Sequence, residues 1–515
     1  MRIPTSISAL TCLLVLTYEG LAVTRYVDLN SATPAPPHDS WMTAATNIQD
    51  AIDAASPGDV ILVTNGVYQT GGAAIGTLLL TNRIAVTKAI TVQSVNGPQQ
   101  TIIRGYQLPG TTNGNGAMRC AYLTNGASLI GFTLSEGATR VFGDNDTECS
   151  AGGLYCASTN AYASNCVITL NASGYAGSGV SSGTLTDCII CTNFALVGRA
   201  WGAGALNSVL NRCTIIGNIA LQSGGGVYGC SLERCQVLYN RAGIGGGAYN
   251  GDARNSLFVG NVAPQQGGGV LETLLYNCTV VGNTSGTTGG GYYGNFGTIR
   301  NCIVYFNSAP SNPNVSGKYS YCCLLANSLT DPNSFTNAPL FVDAANGDFR
   351  LQSDSPCINA GANSYVIGSV DLDGNVRIVG GTVDVGPYEF QSPGSLISYA
   401  WLKKYGLPTD GSVDFVDGDS DGMHTWGEWR GDTIPTNTAS VLTIGSVTNS
   451  PSGPKITWQS VSSRFYYIQR ADSFGPGAFQ TIATNILGAA GTKSYTDTSA
   501  TGSGPYFYRV GVQPF

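Results

Sequence analysis

Residues 213–250 read CTIIGNIALQSGGGVYGCSLERCQVLYNRAGIGGGAYN, and two motifs alternate through them. The first, Cys-x-hydrophobic-x-x-Asn, begins at Cys166, Cys213, Cys235, Cys278 and Cys302. It recurs at Cys188 with a second cysteine inserted, and at Ser256 with serine for cysteine. The second motif is a triplet of small residues before an apolar pair, starting at Ala151, Gly202, Gly224, Gly245, Gly267 and Gly289. The period is about 22 residues, the size at which only neighbouring repeats touch. The apolar runs are short for helices and rich in Val and Ile, so each reads as a strand. Glycine supplies the corners where φ is positive or backbones crowd.

The terminal asparagines Asn171, Asn193, Asn218, Asn240, Asn261, Asn283, Asn307 and Asn327 fall at one corner of successive turns. There each side-chain amide can donate to one neighbour and accept from the other, forming an internal ladder. The expected fold is all-β: a right-handed parallel β-helix with turns about 4.8 Å apart, so that the ladder spans roughly 35 Å. Cysteines stacked in register on parallel strands have poor disulfide geometry. Cys166, Cys188, Cys213, Cys235, Cys278 and Cys302 therefore read as buried free thiols serving as small hydrophobes. A tetrahedral metal site in that column is not expected, because its ligands would not converge. The better-placed pair for a bridge is Cys149 with Cys156, close together across a loop.

Composition fits an exported protein. The N-terminus has Arg2, an apolar stretch and Gly20-Leu21-Ala22, which reads as a secretory signal over residues 1–22. No later run holds 18 uninterrupted apolar residues, so no transmembrane segment is expected. Charged residues make up 11% of the chain and the net charge is -7. No basic stripe exists to neutralise phosphates, so no nucleic-acid partner is expected. Ile48, Ala51, Ile52 and Ala55 keep helical spacing until Pro57-Gly58. That short helix can cover the unpaired edge of a solenoid's first turn.

This opening, I-Q-x-A-I-x-x-A then P-G-D-x-I-x-V and G-x-Y, resembles that of pectin-lyase-like β-helix proteins. The glycine triplets and Asn-ended strands are similar to the repeats of polymorphic outer-membrane proteins. SPCINAG near Cys357, DLDGNVR from Asp371 and VDVGPYEF from Val383 resemble the end of a family of bacterial surface β-helix proteins that carries an anchoring module. The resemblance covers roughly residues 350–390 and implies closure of the last turn. Asp371, Asp373, Asp384 and Glu389 within it read as turn and capping groups.

DGDSDGMHTWGE, from Asp417 to Glu428, fits the twelve-residue calcium loop D-x-D-x-D-G-x5-E. Asp417, Asp419 and Asp421 offer carboxylates, Met423 its carbonyl, Thr425 a ninth-position contact, and Glu428 two closing oxygens. Three aspartates so close repel unless a cation sits between them, so Ca2+ is the expected cofactor. The surrounding segment resembles dockerin-like and thrombospondin-type calcium repeats. Its preceding helix ends about twelve residues early for a full EF-hand, which favours a structural clamp over a sensor. From residue 441 onward the chain alternates like strands, with Trp458 and Tyr506-Phe507-Tyr508 suggesting a small sandwich similar to fibronectin type III. The expected domains are 1–22 signal, 23–392 β-helix with its caps, 393–440 calcium-binding helical module and 441–515 sandwich. No membrane anchor or barrel-length set of strands is read, so a self-transporting outer-membrane protein is not expected.

Function is less legible. The residue ending each apolar pair is often tyrosine: Tyr155, Tyr228, Tyr249 and Tyr293. Neighbours on a strand face opposite ways, so these form either an outward ligand-binding stripe or part of the core. Outward tyrosines one turn apart can lie under successive sugars of a glycan. The weak catalytic candidates are Asp144, Asp146 and Glu148 beside Arg140. Histidine occurs only at His38 and His424, and the motifs of polygalacturonases are missing. The expectation is a monomeric, secreted or surface-associated, non-catalytic adhesin that binds polysaccharide or a cell-surface glycan. A polysaccharide lyase or glycoside hydrolase is the alternative, and a structural envelope component a further one.

Overall fold

The computed structural model describes residues 22–326 and 329–513; residues 1–21 of the expected signal and the rung at Asn327 lie outside them. The repeats coil into a parallel β-helix. One wall is an eleven-stranded parallel sheet running from Gly66–Tyr68 to Cys323–Leu324, and it holds the strands that follow each cysteine. The other wall belongs to a nineteen-stranded sheet whose turns each contribute two segments, the apolar pair and a second run before the cysteine. In Val227–Glu233 and Ala248–Arg254 the two segments fuse into one strand.

Three columns of side chains point inward. Leu154, Val180, Ala205, Val227, Ala248 and Val270 stack in register beneath the triplets. Ala163, Leu185, Leu210, Leu232, Ala253 and Leu275 form the second column, and Ile168, Ile190, Ile215, Val237, Phe258 and Val280 the third. All belong to one buried cluster. Each aliphatic side chain of this size contributes about 1.5–3 kcal/mol by leaving water, so the interior is the main source of stability.

The asparagine ladder forms as expected over Asn171 to Asn307. Each Nδ2 donates to the Oδ1 of the next turn at 2.9–3.1 Å, as in Asn218 to Asn240 at 3.0 Å. The same Oδ1 accepts the neighbour's backbone N–H, and the Nδ2 also donates to a strand carbonyl below, such as Ile190 O for Asn218. The last described rung is Asn314, whose Oδ1 accepts from Asn307. Glycine holds corners as expected at Gly202, Gly224, Gly245, Gly267 and Gly289 and before the asparagines at Gly217, Gly260 and Gly282, all at positive φ, but another corner does without it. The residue before each cysteine or serine takes positive φ, and there it is Asn165, Asp187, Arg212, Arg234, Asn255, Asn277 and Asn301. Asn and Asp tolerate this region best among non-glycine residues. Glycine is indispensable at the third place of the triplets: a Cβ at Gly226 would lie 2.5 Å from Gly247 O, because triplets of successive turns hydrogen-bond directly.

All of the stacked cysteines are free and buried. Their role is more than apolar filling, because the sulfur accepts the amide that the corner leaves unpaired. Cys213 N–H donates to Cys235 Sγ at 3.4 Å and Cys278 N–H to Cys302 Sγ at 3.4 Å. Ser256 does the same for Cys235 through its hydroxyl at 3.0 Å, which explains why serine can occupy the position. The expected Cys149–Cys156 bridge is absent; both thiols are free. Cys156 ends a strand and joins the β-helix interior, whereas Cys149 sits in the loop held by Asp144 O.

Helix α1 (Ile48–Ala54) caps the first turns, with Asn47 accepting from Asp50 N–H at its start. Gln49 Oε1 takes the Ala85 N–H at 2.8 Å, so a side chain satisfies the open edge. At the other end, residues 335–405 correct an expectation. They do not simply close the last turn but fold back along the outside of the cysteine wall. Leu257, Val281, Ile303 and Tyr305 of that wall pack with Phe341, Phe349, Ile358 and Val385. Corner residue Asn301 exchanges hydrogen bonds with Ala362, and Asn277 Nδ2 reaches Asp384 O. The same cluster continues into Trp401 and Leu402 of α2 (Tyr399–Lys404) and Trp429 of α3 (Thr425–Gly431). Strands between Ile444 and Val512 form two three-stranded antiparallel sheets around Ile456, Trp458, Tyr466 and Ile468.

Candidate functional site

Strand register settles which way the tyrosines face. Leu206, Tyr228, Tyr249, Leu271 and Tyr293 pair turn by turn in the column beside the buried Ala205, Val227, Ala248, Val270 and Tyr292. The first set therefore points out and the second in. Tyr155 shares the outward column, two turns before Leu206 with Ser181 between. The four tyrosines are half-buried, not core.

The column is not one continuous stripe. Tyr228 and Tyr249 meet edge to face at 5.1 Å between ring centroids. Tyr155 stacks instead on Tyr122 at 5.7 Å, beneath the guanidinium of Arg119. Tyr293 is set apart from Tyr249 by Leu271. The structure adds residues that sequence reading missed. Trp201 lies parallel to Tyr228 at 5.1 Å, Tyr175 leans on Trp201 at 6.1 Å, and Arg199 covers the indole. Tyr175, Trp201, Tyr228 and Tyr249 thus make one aromatic surface across successive turns. The available signal was Trp201 directly before the Gly202 triplet, one position upstream of the motif.

The acidic loop is structurally engaged. Arg140 and Glu148 form a partly buried ion pair at 2.8 Å. Glu148 also accepts Leu79 N–H and Asp144 N–H, and these bonds with the arginine hold its carboxyl below the usual range, led by Asp144 N–H and against desolvation. Asp144 caps Thr147 through backbone and hydroxyl, which lowers its pKa likewise. Asp146 is exposed. These groups tie a loop together and leave no free base poised beside a free acid.

The calcium-type loop is the reverse case. Asp417, Asp419 and Asp421 bring carboxylate oxygens within 4.8 Å of one another. Asp417 organises the turn by accepting Ser420, Asp421 and Gly422 N–H, and Gly422 adopts φ +94°. Met423 N–H binds Asp421 Oδ1. Glu428, fully buried in the first turn of α3, lies near enough to the triad to feel the charge of all three aspartates. Both its oxygens, both oxygens of Asp419 and one of Asp421 are buried without a hydrogen-bond partner. Burial, then Asp419, Asp421 and Asp417, push Glu428 up to about 7. Buried, unpaired carboxylate oxygens cost free energy, and a hard divalent cation supplies what they lack. The donor set fits calcium: oxygen only, with a bidentate glutamate at position twelve. Thr425 donates its hydroxyl to Val416 O at 3.0 Å, which leaves only a lone pair toward the loop.

The acidic residues of 371–389 hold backbone amides, as read from the sequence. Asp384 accepts from Asn359 and Phe390, Glu389 from Val379 and Asp384, and Asp371 from Asn375 and Glu389. Buried Arg377 lies among them. Exposed Asp373 pairs with Arg350.

No family model and no curated protein matches the sequence. Solved structures that align include a pectate lyase, TM-score 0.43 at 17% identity, covering 72% of this chain and 97% of that one. A rhamnogalacturonan lyase gives 0.36 at 12%, covering 75% and 100%. The A-module of a mannuronan C-5 epimerase from Azotobacter vinelandii gives 0.28 at 13%, covering 61% and 100%.

Proposed function

We propose that the chain is a secreted or surface-associated monomer that binds polysaccharide through the outward aromatic face of its β-helix, with calcium clamping the loop at 417–428. The observation that carries this reading is the contiguous surface of Tyr175, Trp201, Tyr228 and Tyr249, half-exposed and repeated at the spacing of the turns. Flat rings offered on a rigid wall bind sugar faces at little entropic cost. Arg199 over Trp201 adds a cation that suits an acidic sugar. Binding is favoured over cleavage because the acidic candidates Asp144 and Glu148 already serve the chain's own amides and Arg140. The proposed calcium ligands are Asp417, Asp419, Asp421, Met423 O and Glu428, with Thr425 beside them.

Affinity electrophoresis through gels containing single acidic or neutral polysaccharides, with calcium, tests the proposal. Retardation is expected, and Tyr228→Ala with Tyr249→Ala should abolish it while lowering stability by only about 1 kcal/mol per residue, since neither ring is core. A cleared track would make the protein an enzyme. No retardation on a broad panel would leave it an architectural component.

A further inference from the structure

Helix α3 begins in the calcium-type loop and ends in contact with the C-terminal sandwich. Its first turn carries Glu428, whose buried, unpartnered carboxylate lies near the three aspartates. Its last carbonyls, Trp429 O and Arg430 O, accept from Arg464 of the sandwich at 3.3 and 3.0 Å. The residue after the helix, Asp432, accepts the Ser463 hydroxyl at 2.5 Å and lies 3.8 Å from Arg464. Arg464 also reaches Asn333 of the β-helix end at 3.4 Å, so one buried guanidinium joins three parts of the chain. A second tie starts from the loop itself. Met423, whose carbonyl is a proposed ligand, accepts Leu442 N–H on its sulfur at 3.2 Å, where the sandwich begins. On its other side Trp429 packs into the cluster shared with Phe341, Ile358 and Trp401.

From this arrangement we infer that calcium locks the sandwich onto the end of the β-helix, with α3 and Arg464 as the clasp. The inference rests on the calcium reading above and extends it to the geometry of the whole chain. Four carboxylates gathered at the N-terminal end of a one-to-two-turn helix repel one another without a cation. Relief of that repulsion moves Glu428, and with it the carbonyls that Arg464 holds and the Met423 sulfur that holds Leu442. The short connection from Asp432 to Leu442, exposed at Thr436, Asn437, Thr438 and Ala439, then becomes the hinge.

The test uses the full chain. Calcium binding is measured by titration calorimetry, and coupling by small-angle scattering and by subtilisin cleavage within 433–441, each with calcium and with chelator. Chelation should lengthen the maximum dimension and speed cleavage. The increase is up to about a hundredfold relative to calcium at roughly one hundred times its Kd, if opening precedes cutting. Glu428→Gln should lose the response to calcium, with scattering and cleavage the same in calcium as in chelator. Arg464→Ala should bind calcium normally yet scatter and cleave as the chelated form. Normal calcium binding with scattering and cleavage indifferent to chelator would overturn the clasp while leaving the site intact. No calcium heat at all would overturn the underlying reading instead. If Arg464→Ala fails to fold, Ser463→Ala serves as the milder break, with cleavage faster than wild type in calcium; an unchanged rate counts against the clasp.

Discussion

Two arrays of buried polar side chains run through this protein, and they are finished in opposite ways. In the ladder from Asn171 to Asn314 the chain supplies both donor and acceptor at every rung, because asparagine carries both. In the loop from Asp417 to Glu428 the chain supplies acceptors only, and five oxygens of Asp419, Asp421 and Glu428 stay unpaired. A buried polar group is tolerated when it is partnered. The ladder meets that condition within the fold, whereas the loop would meet it through the proposed cation. The difference also sets what each can do: the ladder fixes a rigid wall, while the loop, on the proposed reading, makes structure conditional on solution calcium.

The severest break of this contrast is Asn240→Ala. It removes the acceptor of Asn218 N–H and Nδ2 and the donor to Ile215 O and Asn261. Each buried group left without a partner costs about 1–3 kcal/mol, so the expected loss is roughly 3–6 kcal/mol. Denaturant unfolding followed by circular dichroism measures it. An effect below about 1 kcal/mol would mean that water replaces the amide inside the wall, and that the ladder is not self-sufficient.

Calcium should give the next largest effect. Saturation to about one hundred times Kd stabilises the fold by about 2.7 kcal/mol, and chelator removes the gain. Glu428→Gln sharpens the comparison because it acts in opposite senses. Without calcium it relieves charge crowding and should raise Tm, whereas with calcium it should leave Tm below that of the wild type. A variant less stable than wild type under both conditions would show that Glu428 serves packing alone.

The contrast also explains what could be read from the sequence. A ladder demands the same residue at the same place in every turn, so Asn171 through Asn307 are visible as a period. The calcium-type loop is local, with its donors at fixed offsets within twelve residues. Features built from distant segments carry no such mark. The last rung, Asn314, follows Asn307 after only seven positions and breaks the period. The fold-back of 335–405 over Leu257, Val281 and Ile303 leaves no pattern beyond an outward face more apolar than water would favour. The aromatic surface was half legible: the period gave Tyr228 and Tyr249, but Trp201 joins them from a different column. The αL corners at Arg212 and Arg234 contradict local propensity and are imposed by the stacking of neighbouring turns.

A third array lies between the two extremes and gives the smallest expected effect. Asp371, Asp384 and Glu389 surround a single arginine, Arg377, whose Nε and Nη1 lack hydrogen-bond partners. Backbone amides satisfy the carboxylates, yet three acids against one base leave excess negative charge in the interior if all ionise. Burial, with Asp384 adding for Glu389, pushes Asp384 up to about 7 and Glu389 up to about 9. Both values lie above those of the unfolded chain, about 4. Their contribution to stability is therefore fully present below that unfolded value and is lost as pH rises through the folded values. With calcium saturating, so that Glu428 does not titrate in the same window, Tm should fall between about pH 5 and pH 9. Glu389→Gln should flatten that slope, because the neutral amide keeps the acceptor for Val379 N–H and adds no charge. Ion pairs such as Arg25–Asp59 act in the opposite direction at low pH, since Asp59 is held below its ordinary value by backbone amides and Arg25 despite desolvation. The diagnostic quantity is accordingly the difference between the variant's profile and that of the wild type. If the two profiles run parallel from pH 5 to pH 9, Arg377 and the surrounding amides hold Glu389 ionised, and this array belongs with the ladder as one the chain completes by itself.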